Sequence, residues 1–394
     1  MATDEECAAA GLPTGGKTRP VDFQRPVHCM LGMPIDTLSK QQALERIRTA
    51  VALRQPCWLS TPNVQYLVTL QKDPAFRDAL IEGDMSVADG VPLIWLARLL
   101  GVPLKERVAG SDLFEALSRG EGGALKVYFF GGPEGVAELA CKRLNALAGP
   151  MTCVGFASPG FGTIEQMSAP ETIEHINQSG ADFVVVALGA SKGQAWIERN
   201  HRALHAPVIS HLGAVINFMA GTVVRAPAWM QHAGLEWLWR IKEEPTLWRR
   251  YWGDARLLAT LIGTRVLPAV LYRSAARLGG TPAPAAAGVV FNSAEGKTDG
   301  PCPVATLVLS GAWSDSDMPL LRRTLERLCR EAAHIMVDVS ALGRVNGAFI
   351  ALLMLLHAQQ RKAGRRLSLL SPTKDLRRHL KLHCADFLLA PLEA

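Results

Sequence analysis

Short, continuous apolar runs alternate with amphipathic segments between residues 28 and 225, and this alternation constrains the fold more than any other feature. The apolar runs are predicted to be buried β-strands and the intervening segments helices. The predicted strands are CWLSTP, LKVYFFGG, ADFVVVALG and APVISHLG. Strands that are apolar on both faces and separated by helices are typical of a parallel sheet with helices on both sides. The sequence therefore predicts an α/β, Rossmann-like domain over residues 27–225.

Changes in composition divide the rest of the chain into further segments. Residues 1–26 begin acidic and lack the basic and then apolar order of a signal peptide, which predicts a flexible leader. Residues 279–301 are rich in Gly, Ala and Pro, which predicts a linker. Residues 302–394 contain three strand-and-helix pairs, which predict a second, small α/β domain.

The segment between these domains, residues 226–278, is both basic and aromatic. From Arg225 to Arg277, nine Lys and Arg residues oppose four Asp and Glu residues, and seven Trp and Tyr residues lie among them. Aromatic side chains beside arginines are typical of helices in a membrane interface. The alternative is a helical hairpin with its tryptophans in the core. No apolar run reaches the roughly 18–20 residues that span a bilayer, so contact with a membrane is predicted and spanning is not.

Composition excludes several classes of protein. Of 394 residues, 48% are apolar and 20% are charged, as expected for a globular protein. The eight cysteines show no CxxC and no Cys/His ligand spacing, which predicts reduced thiols without a zinc site or a disulfide framework.

Small residues end the predicted strands. Thr61, Gly131, Gly132, Gly189 and Gly213 all lie at such ends, where parallel sheets bind their ligands. Backbone N–H groups at a Gly pair before a helix can bind phosphate. The sequence around this pair has neither the full GxGxxG nor the GK[ST] of a P-loop, so the pair alone is weak support for a nucleotide site. A nucleotide-binding oxidoreductase has support only from analogy of fold.

Five segments in order resemble the WecG/TagA/CpsF glycosyltransferases over residues 28–255: STPNVQYL, VADGVP, ERVAGSDLF, YFFGGPEGVAE and AGTVVRAPAWMQHAGLEWLWRIKEEP. The resemblance implies inverting transfer of a sugar from a UDP-sugar to a polyprenyl-diphosphate-linked saccharide, for cell-surface or exopolysaccharide synthesis. It also implies that no metal and no other cofactor is needed. The implied partners are the UDP-sugar, the lipid-linked acceptor and the membrane surface, with no nucleic acid. The implied location is the inner face of the plasma membrane.

An inverting transfer needs a base for the acceptor hydroxyl and positive charge for the departing diphosphate. The resemblance assigns the base to Asp89, places Thr61 and Asn63 beside it, and places Arg107 in the active site. Asp89 is alternatively a turn residue before Gly90. Thr61 and Asn63 are alternatively helix caps, and a cap role is compatible with a site role.

The predicted substrate-binding residues, taken from strand ends and from the resemblance, are Asn63, Gly131, Gly132, Gly189, Lys192, Gln194, Gly213, Asn217, Arg225, Arg240, Arg249 and Arg250. Arg240 and Arg250 match two arginines of a family appendage that closes over the active site. Leu247 stands where a third arginine is usual, so the nearby Arg249 is its predicted substitute. The alternative for these arginines is solvated charge on helices.

The chain departs from the family pattern at several positions. In ALGASKGQAWI, Ser191, Gly193 and Gln194 replace the usual Pro, Gln and Glu. His211 stands where Gly is usual, and Asn217 where Asp is usual. The replaced Gln is one that the family uses to hold the nucleotide. The departures leave open an alternative function, a catalytically degenerate nucleotide-binding scaffold or regulator of polysaccharide assembly.

Residues 302–394 resemble STAS domains. Members that switch by phosphorylation carry Asp-Ser-Ser-Gly before the second helix, where this chain has Asn346-Gly347-Ala348-Phe349 and no hydroxyl. A phosphorylation switch at this place is therefore not predicted. Protein docking, self-association and nucleotide sensing all stay open as roles of this domain.

Overall fold

The computed structural model describes residues 20–121, 123–160, 162–278, 286–293, 304–331 and 334–393. The chain divides into two compact units. One is Ile35–Ala259, and the other joins the residues up to Pro34 to those from Thr260 onward. The first 19 residues of the predicted leader, and residues 279–285 and 294–301 of the predicted linker, lie outside the described parts of the chain.

The unit Ile35–Ala259 contains a six-stranded sheet in which every pairing is parallel, with the order β4-β3-β8-β7-β5-β6. Its strands are β3 (Cys57–Ser60), β4 (Met85–Ser86), β5 (Leu125–Gly131), β6 (Met151–Ala157), β7 (Phe183–Ala187) and β8 (Val208–His211). A separate two-stranded sheet pairs β1 (Val27–Met30) with β2 (Met33–Asp36). The predicted α/β fold with a parallel sheet is confirmed. The short strand β4 and the edge strand β6 were not predicted.

Helices surround this sheet: α1 (Lys40–Ala52), α2 (Val64–Leu70), α3 (Pro74–Glu82), α4 (Val91–Leu100), α5 (Gly110–Ala116), α6 (Val136–Ala146), α7 (Ile164–Met167), α8 (Pro170–Gln178), α9 (Ala190–Asn200) and α10 (Gly213–Ala220). Alternate residues of the strands enter two different cores. In β5, Val127 and Phe129 belong to one core, and Tyr128 and Phe130 belong to the other. Both faces of the sheet are thus buried, which explains the continuous apolar runs in the sequence.

Two of the cysteines correct an expectation. Cys141 of α6 and Cys153 of β6 are joined in a disulfide, with their Cα atoms 5.2 Å apart. The sequence had predicted reduced thiols, because no cysteine spacing indicated a pair. The pairing arises because α6 packs against the strand that follows it, which brings both residues within disulfide range.

The second unit contains a four-stranded sheet with the order β12-β11-β10-β9. Its strands are β9 (Gly288–Ser293), β10 (Val304–Ser310), β11 (His334–Asp338) and β12 (Leu367–Leu370). The three last strands are parallel to one another and each was predicted. Strand β9 pairs antiparallel with β10. It lies inside the segment that was predicted to be a linker, residues 279–301. Its short apolar run GVVF was hidden in the sequence among Gly, Ala and Pro residues.

Residues before β2 also belong to this second unit. Phe23 and Arg25 are 2% and 1% exposed, and the backbone N–H of Val21 donates to Oε1 of Gln359 at 2.7 Å. Phe23 and Arg25 are therefore packed into this unit, although the sequence had placed them in the flexible leader. Gln359 belongs to α16 (Gly347–Lys362), against which β1 also packs. The other helices of this unit include α15 (Met318–Glu331) and α17 (Lys374–Leu382).

The predicted appendage, residues 226–278, is helical but does not form one body. It contains α11 (Ala228–His232), α12 (Glu236–Glu243), α13 (Leu247–Leu261), a π-helical turn (Ile262–Val266) and α14 (Leu267–Leu278). The boundary between the two units falls inside it, after Ala259. By length and composition alone, the helical stretch Leu247–Ser274 could cross a membrane, with a mean hydropathy of 1.3. This corrects the expectation that no segment is long enough, which counted uninterrupted apolar residues only.

Candidate active site

A cavity of about 850 Å³ lies within the unit Ile35–Ala259. The loops at the carboxyl ends of β3, β5, β7 and β8 form part of its wall, and α12 and α13 contribute aromatic and basic side chains. This is the edge at which parallel sheets bind ligands. Most of the predicted site residues line it: Thr61, Asn63, Asp89, Arg107, Gly132, Gly189, Gly213, Asn217, Arg225, Arg240 and Arg250.

Four predicted residues do not line the cavity. Gly131 lies against β7, where a Cβ atom would be 2.6 Å from the carbonyl oxygen of Ala187. Lys192 points to the exterior and donates to the carbonyl oxygen of Gly162 at 3.2 Å. Gln194 is fully buried, and Arg249 stacks over the ring of Trp248 at 5.7 Å. The structure therefore gives these four residues other contacts, and Arg249 does not substitute for an arginine at Leu247 in the lining.

Asp89 lies at the cavity wall just before helix α4. Its backbone N–H donates to the carbonyl oxygen of Pro62 at 2.7 Å, and Gly90, with φ of 120°, turns the chain into the helix. The helix has no side-chain cap, so the Asp89 carboxyl does not serve as one. Burial raises the pKa of Asp89 to about 7. The positive charge of Arg107 opposes this rise, and the negative charge of Glu236 adds to it. A carboxyl with a pKa near 7 can exchange a proton with a ligand at neutral pH.

Two arginines at the cavity are held by acidic residues of α5 and α12. Arg107 donates to Oδ2 of Asp112 and to Oε1 of Glu236, both at 3.0 Å. Arg225 forms a very short contact with the other oxygen of Asp112 and donates to Oε2 of Glu115 at 2.8 Å. Asp112 thus bridges the two guanidinium groups, and its pKa is lowered because the two arginines outweigh its burial. Both guanidinium groups are therefore held by carboxylates of the protein itself.

Thr61 and Asn63 differ in their local roles. The side chain of Asn63 caps α2 by accepting a hydrogen bond from the backbone N–H of Tyr66 at 3.2 Å. Thr61 does not cap this helix; it is 7% exposed and lies against Gly110, where a Cβ atom would be 3.1 Å from its Oγ1. Both side chains also line the cavity, so the cap and a site role coexist at Asn63.

A buried polar network connects the sheet to the cavity, and the sequence did not reveal it. Nε1 of Trp58 donates to Oε1 of Gln194 at 3.1 Å. The amide nitrogen of Gln194 donates to Oγ of Ser60 and to the hydroxyl of Tyr66, at 3.1 and 3.0 Å. The Tyr66 hydroxyl lies 3.0 Å from Nδ1 of His211, and His211 lines the cavity. Burial lowers the pKa of His211 to about 4, so its imidazole is neutral at pH 7.

Other residues at the site also escaped sequence reasoning. Asp112 and Glu115 were not predicted, although their three-residue spacing places them on one face of a helix. Glu236 and the aromatic residues of α12 and α13 were read only as part of a membrane-contact segment. His211 was noted as a departure from a family pattern and not as a site residue. Asp112, Glu115, Glu236 and His211 each bond to a partner far away in the sequence.

Comparison with known proteins gives two family matches. The sequence model described as "Glycosyl transferase WecG/TagA/CpsF family" matches residues 28–269, and that described as "Mlab, STAS domain" matches residues 300–389. Two curated relatives are each 27% identical over 194 residues, or 49% of this chain. They come from Bacillus spizizenii W23 and Bacillus subtilis 168, with 74% and 73% of their lengths covered. Both are named N-acetylglucosaminyldiphosphoundecaprenol N-acetyl-beta-D-mannosaminyltransferase.

Proposed function

The chain belongs to the WecG/TagA/CpsF glycosyltransferase family, with a STAS domain at its C-terminal end, and from this we propose that it transfers a sugar from a UDP-sugar to a polyprenyl-diphosphate-linked saccharide. The names of the two relatives support the class of acceptor, since both act on a sugar diphosphoundecaprenol. The product would serve the synthesis of a cell-surface or exopolysaccharide. The donor sugar can be identified by testing a panel of UDP-sugars.

The observation that carries the mechanism is the free carboxyl of Asp89 at the cavity wall. It makes no hydrogen bond to any described residue, and its pKa of about 7 suits a general base at neutral pH. In the proposed step, Asp89 takes the proton of the acceptor hydroxyl while the hydroxyl oxygen attacks the anomeric carbon. The bond from this carbon to the UDP oxygen breaks on the opposite face, and the configuration inverts.

The fixed cations would stabilise the departing diphosphate. Arg107 and Arg225 are held in place by Asp112, and Arg240 and Arg250 line the same cavity from α12 and α13. Positive charge that is already in position costs little reorganisation when negative charge develops on the leaving group. This arrangement supports a transfer in which arginines take the part that a metal takes in other glycosyltransferases.

The rim of the cavity supports docking at a membrane surface. Trp248 and Trp252 line the cavity and are also 52% and 63% exposed, and Trp229 is 64% exposed. Exposed tryptophans beside arginines are typical of a membrane interface. We infer that this rim contacts the membrane that holds the acceptor, and we propose that the protein acts at the inner surface of the plasma membrane.

The test is release of UDP from a panel of UDP-sugars, with a short-chain polyprenyl-diphosphate sugar as acceptor, with and without EDTA. We expect acceptor-dependent release that survives EDTA and falls about 10²- to 10⁴-fold in Asp89→Asn, because the base is lost. Glu171→Gln is the matched control, since Glu171 is an exposed carboxyl outside the cavity, and it should keep full turnover. Full turnover in a folded Asp89→Asn protein would remove the base assignment.

A second candidate function is a non-catalytic nucleotide-binding scaffold. One observation favours it: Gly193 stands where the family uses a Gln to hold the nucleotide, and the predicted substrate-binding residues Lys192 and Gln194 do not line the cavity. The same assay separates the two functions. UDP that binds without release from any donor would favour the scaffold.

A further inference from the structure

The network behind the cavity has one possible direction of proton donation. The indole N–H of Trp58 can only donate, so the oxygen of Gln194 faces it and the amide nitrogen faces Ser60 and Tyr66. The hydroxyl oxygen of Tyr66 accepts one of the two amide protons. Its own proton then needs another acceptor, because a buried hydroxyl rarely leaves its proton unbonded.

The acceptor for that proton is Nδ1 of His211, at 3.0 Å. A neutral imidazole carries one proton, so if Nδ1 accepts, the proton is on Nε2. The low pKa of His211 supports the neutral form. The chain of donors therefore fixes His211 as the Nε2–H tautomer, with a donor at its far end.

That donor has no partner in the described parts of the protein. Nε2 of His211 is buried and makes no hydrogen bond, although His211 lines the cavity. Leaving a buried donor unpaired destabilises the protein, because the donor has lost its hydrogen bond to water without gaining another. A ligand in the cavity that offers an acceptor would remove this cost.

The surroundings of His211 determine which acceptor fits. The cavity wall next to it, formed after β7 and β8, contributes Ala187, Gly189, Ala190, Leu212 and Gly213 and no charged residue. The cations of the cavity come from other segments, at Arg107, Arg225, Arg240 and Arg250. Because these arginines are available to a diphosphate, we assign the neutral donor of His211 to an uncharged acceptor, such as a ring carbonyl.

Two departures from the family pattern are sterically coupled at this place. A Cβ atom at Gly193 would lie 2.3 Å from Cδ2 of His211. The imidazole therefore occupies the space into which a side chain at position 193 would extend. A histidine at 211 in this orientation therefore requires a glycine at 193, so the two departures are compatible with each other.

We propose that His211 is a specificity-determining residue whose Nε2–H binds a carbonyl oxygen of the donor's pyrimidine base. The inference rests on the proposed function, because it takes the ligand to be a uridine nucleotide. Tyr66 and Gln194 are positioning residues that hold the imidazole in the donating tautomer.

The test is calorimetric binding of UDP and of uridine to the full-length protein. We expect His211→Phe to weaken both ligands by about tenfold, because one hydrogen bond to the base is lost. In His211→Gln the side-chain amide can replace the Nε2–H donor, so binding should stay within about threefold of the wild type. His175→Phe is the matched control, since His175 also pairs with a tyrosine, Tyr128, but lies outside the cavity lining.

The outcomes separate the inference from the proposed function. If the wild type does not bind UDP, the proposed donor fails, and the inference fails with it. If the wild type binds UDP and His211→Phe binds it equally well, only the inference is overturned. A loss confined to UDP, with uridine unchanged, would assign His211 to the diphosphate and overturn the contact with the base.

The imidazole ¹⁵N chemical shifts give a readout that a purely structural role would not change. We expect the shifts of the Nε2–H tautomer in the wild type and loss of this preference in Tyr66→Phe, which cannot donate to Nδ1. A proton on Nδ1 in the wild-type protein would contradict the proposal.

Discussion

Asp89 is the residue whose protonation state should control the reaction. With a pKa of about 7, it is mostly protonated at pH 6 and mostly ionised at pH 8. Only the ionised form can accept the proton of a hydroxyl, so we expect kcat/KM to rise about tenfold per pH unit below pH 7 and to level off above it. A pH profile of UDP release checks this, with pH-independent activity between pH 5.5 and 8 as the contradicting result.

The same pKa has a consequence for stability. When the pKa of a carboxyl is higher in the folded than in the unfolded state, the free energy of unfolding decreases as the pH rises from about 4 to about 7. Asp89→Asn should therefore be more stable than the wild type at pH 8, by about 1–2 kcal/mol after allowance for its partial exposure. The difference should shrink at pH 4.5, and thermal unfolding of both proteins at the two pH values measures it.

Gly131, the last residue of β5, and Gly135, four residues later, allow a matched comparison of the cost of adding a Cβ atom. Gly131 has φ of 101°, and a Cβ atom there would meet the backbone of β7 at 2.6 Å. Gly135 also has positive φ, at 75°, but a Cβ atom would meet nothing within 4 Å. We expect Gly131→Ala to cost about 2–4 kcal/mol and Gly135→Ala about 1 kcal/mol. Equal costs in urea unfolding would show that the close approach to β7 is not important.

At the scale of elements, α13 connects the cavity to its surroundings. Trp248 and Trp252 are one helical turn apart, and both are exposed at the rim of the cavity. We expect the double variant Trp248→Ala/Trp252→Ala to bind vesicles of phosphatidylcholine and phosphatidylglycerol about tenfold more weakly, because it loses apolar area that inserts into the interface. Sedimentation with vesicles measures the binding.

The control for that prediction removes exposed apolar residues elsewhere in the same unit. Leu53 and Leu147 are 61% and 67% exposed and do not line the cavity. The variant Leu53→Ala/Leu147→Ala should bind vesicles as the wild type does. An equal loss in both double variants would mean that general surface hydrophobicity, and not the rim of the cavity, causes the binding.

At the scale of the whole molecule, the segment before β2 should unfold together with the C-terminal unit. Phe23 is 2% exposed, and neighbouring residues bond to Gln359 and Glu326 of that unit. We expect Phe23→Ala to reduce the free energy of unfolding of the C-terminal unit by about 3–5 kcal/mol. Leu325→Ala, at a buried position of α15, should lower the temperature of the same calorimetric transition. Phe183→Ala, in the six-stranded sheet, should lower a different transition. If Phe23→Ala moves that second transition instead, the assignment is wrong.

The sequence by itself determined the features that depend on local periodicity. The parallel sheet followed from strands that are apolar on both faces, and the three strand-and-helix pairs of the C-terminal domain followed in the same way. The motifs at strand ends also indicated the edge of the sheet at which the cavity lies. These signals are local, because a strand or helix shows its period within a few residues.

Only the tertiary structure decided which residues meet. Asp112 joins Arg107 to Arg225, Gln194 turns into the interior, and Cys141 pairs with Cys153. The structure also places residues 20–34 with the C-terminal unit, against the prediction of a leader that reached residue 26. The direction of a side chain and the pairing of distant segments depend on packing across the whole unit, which no local pattern in the sequence records.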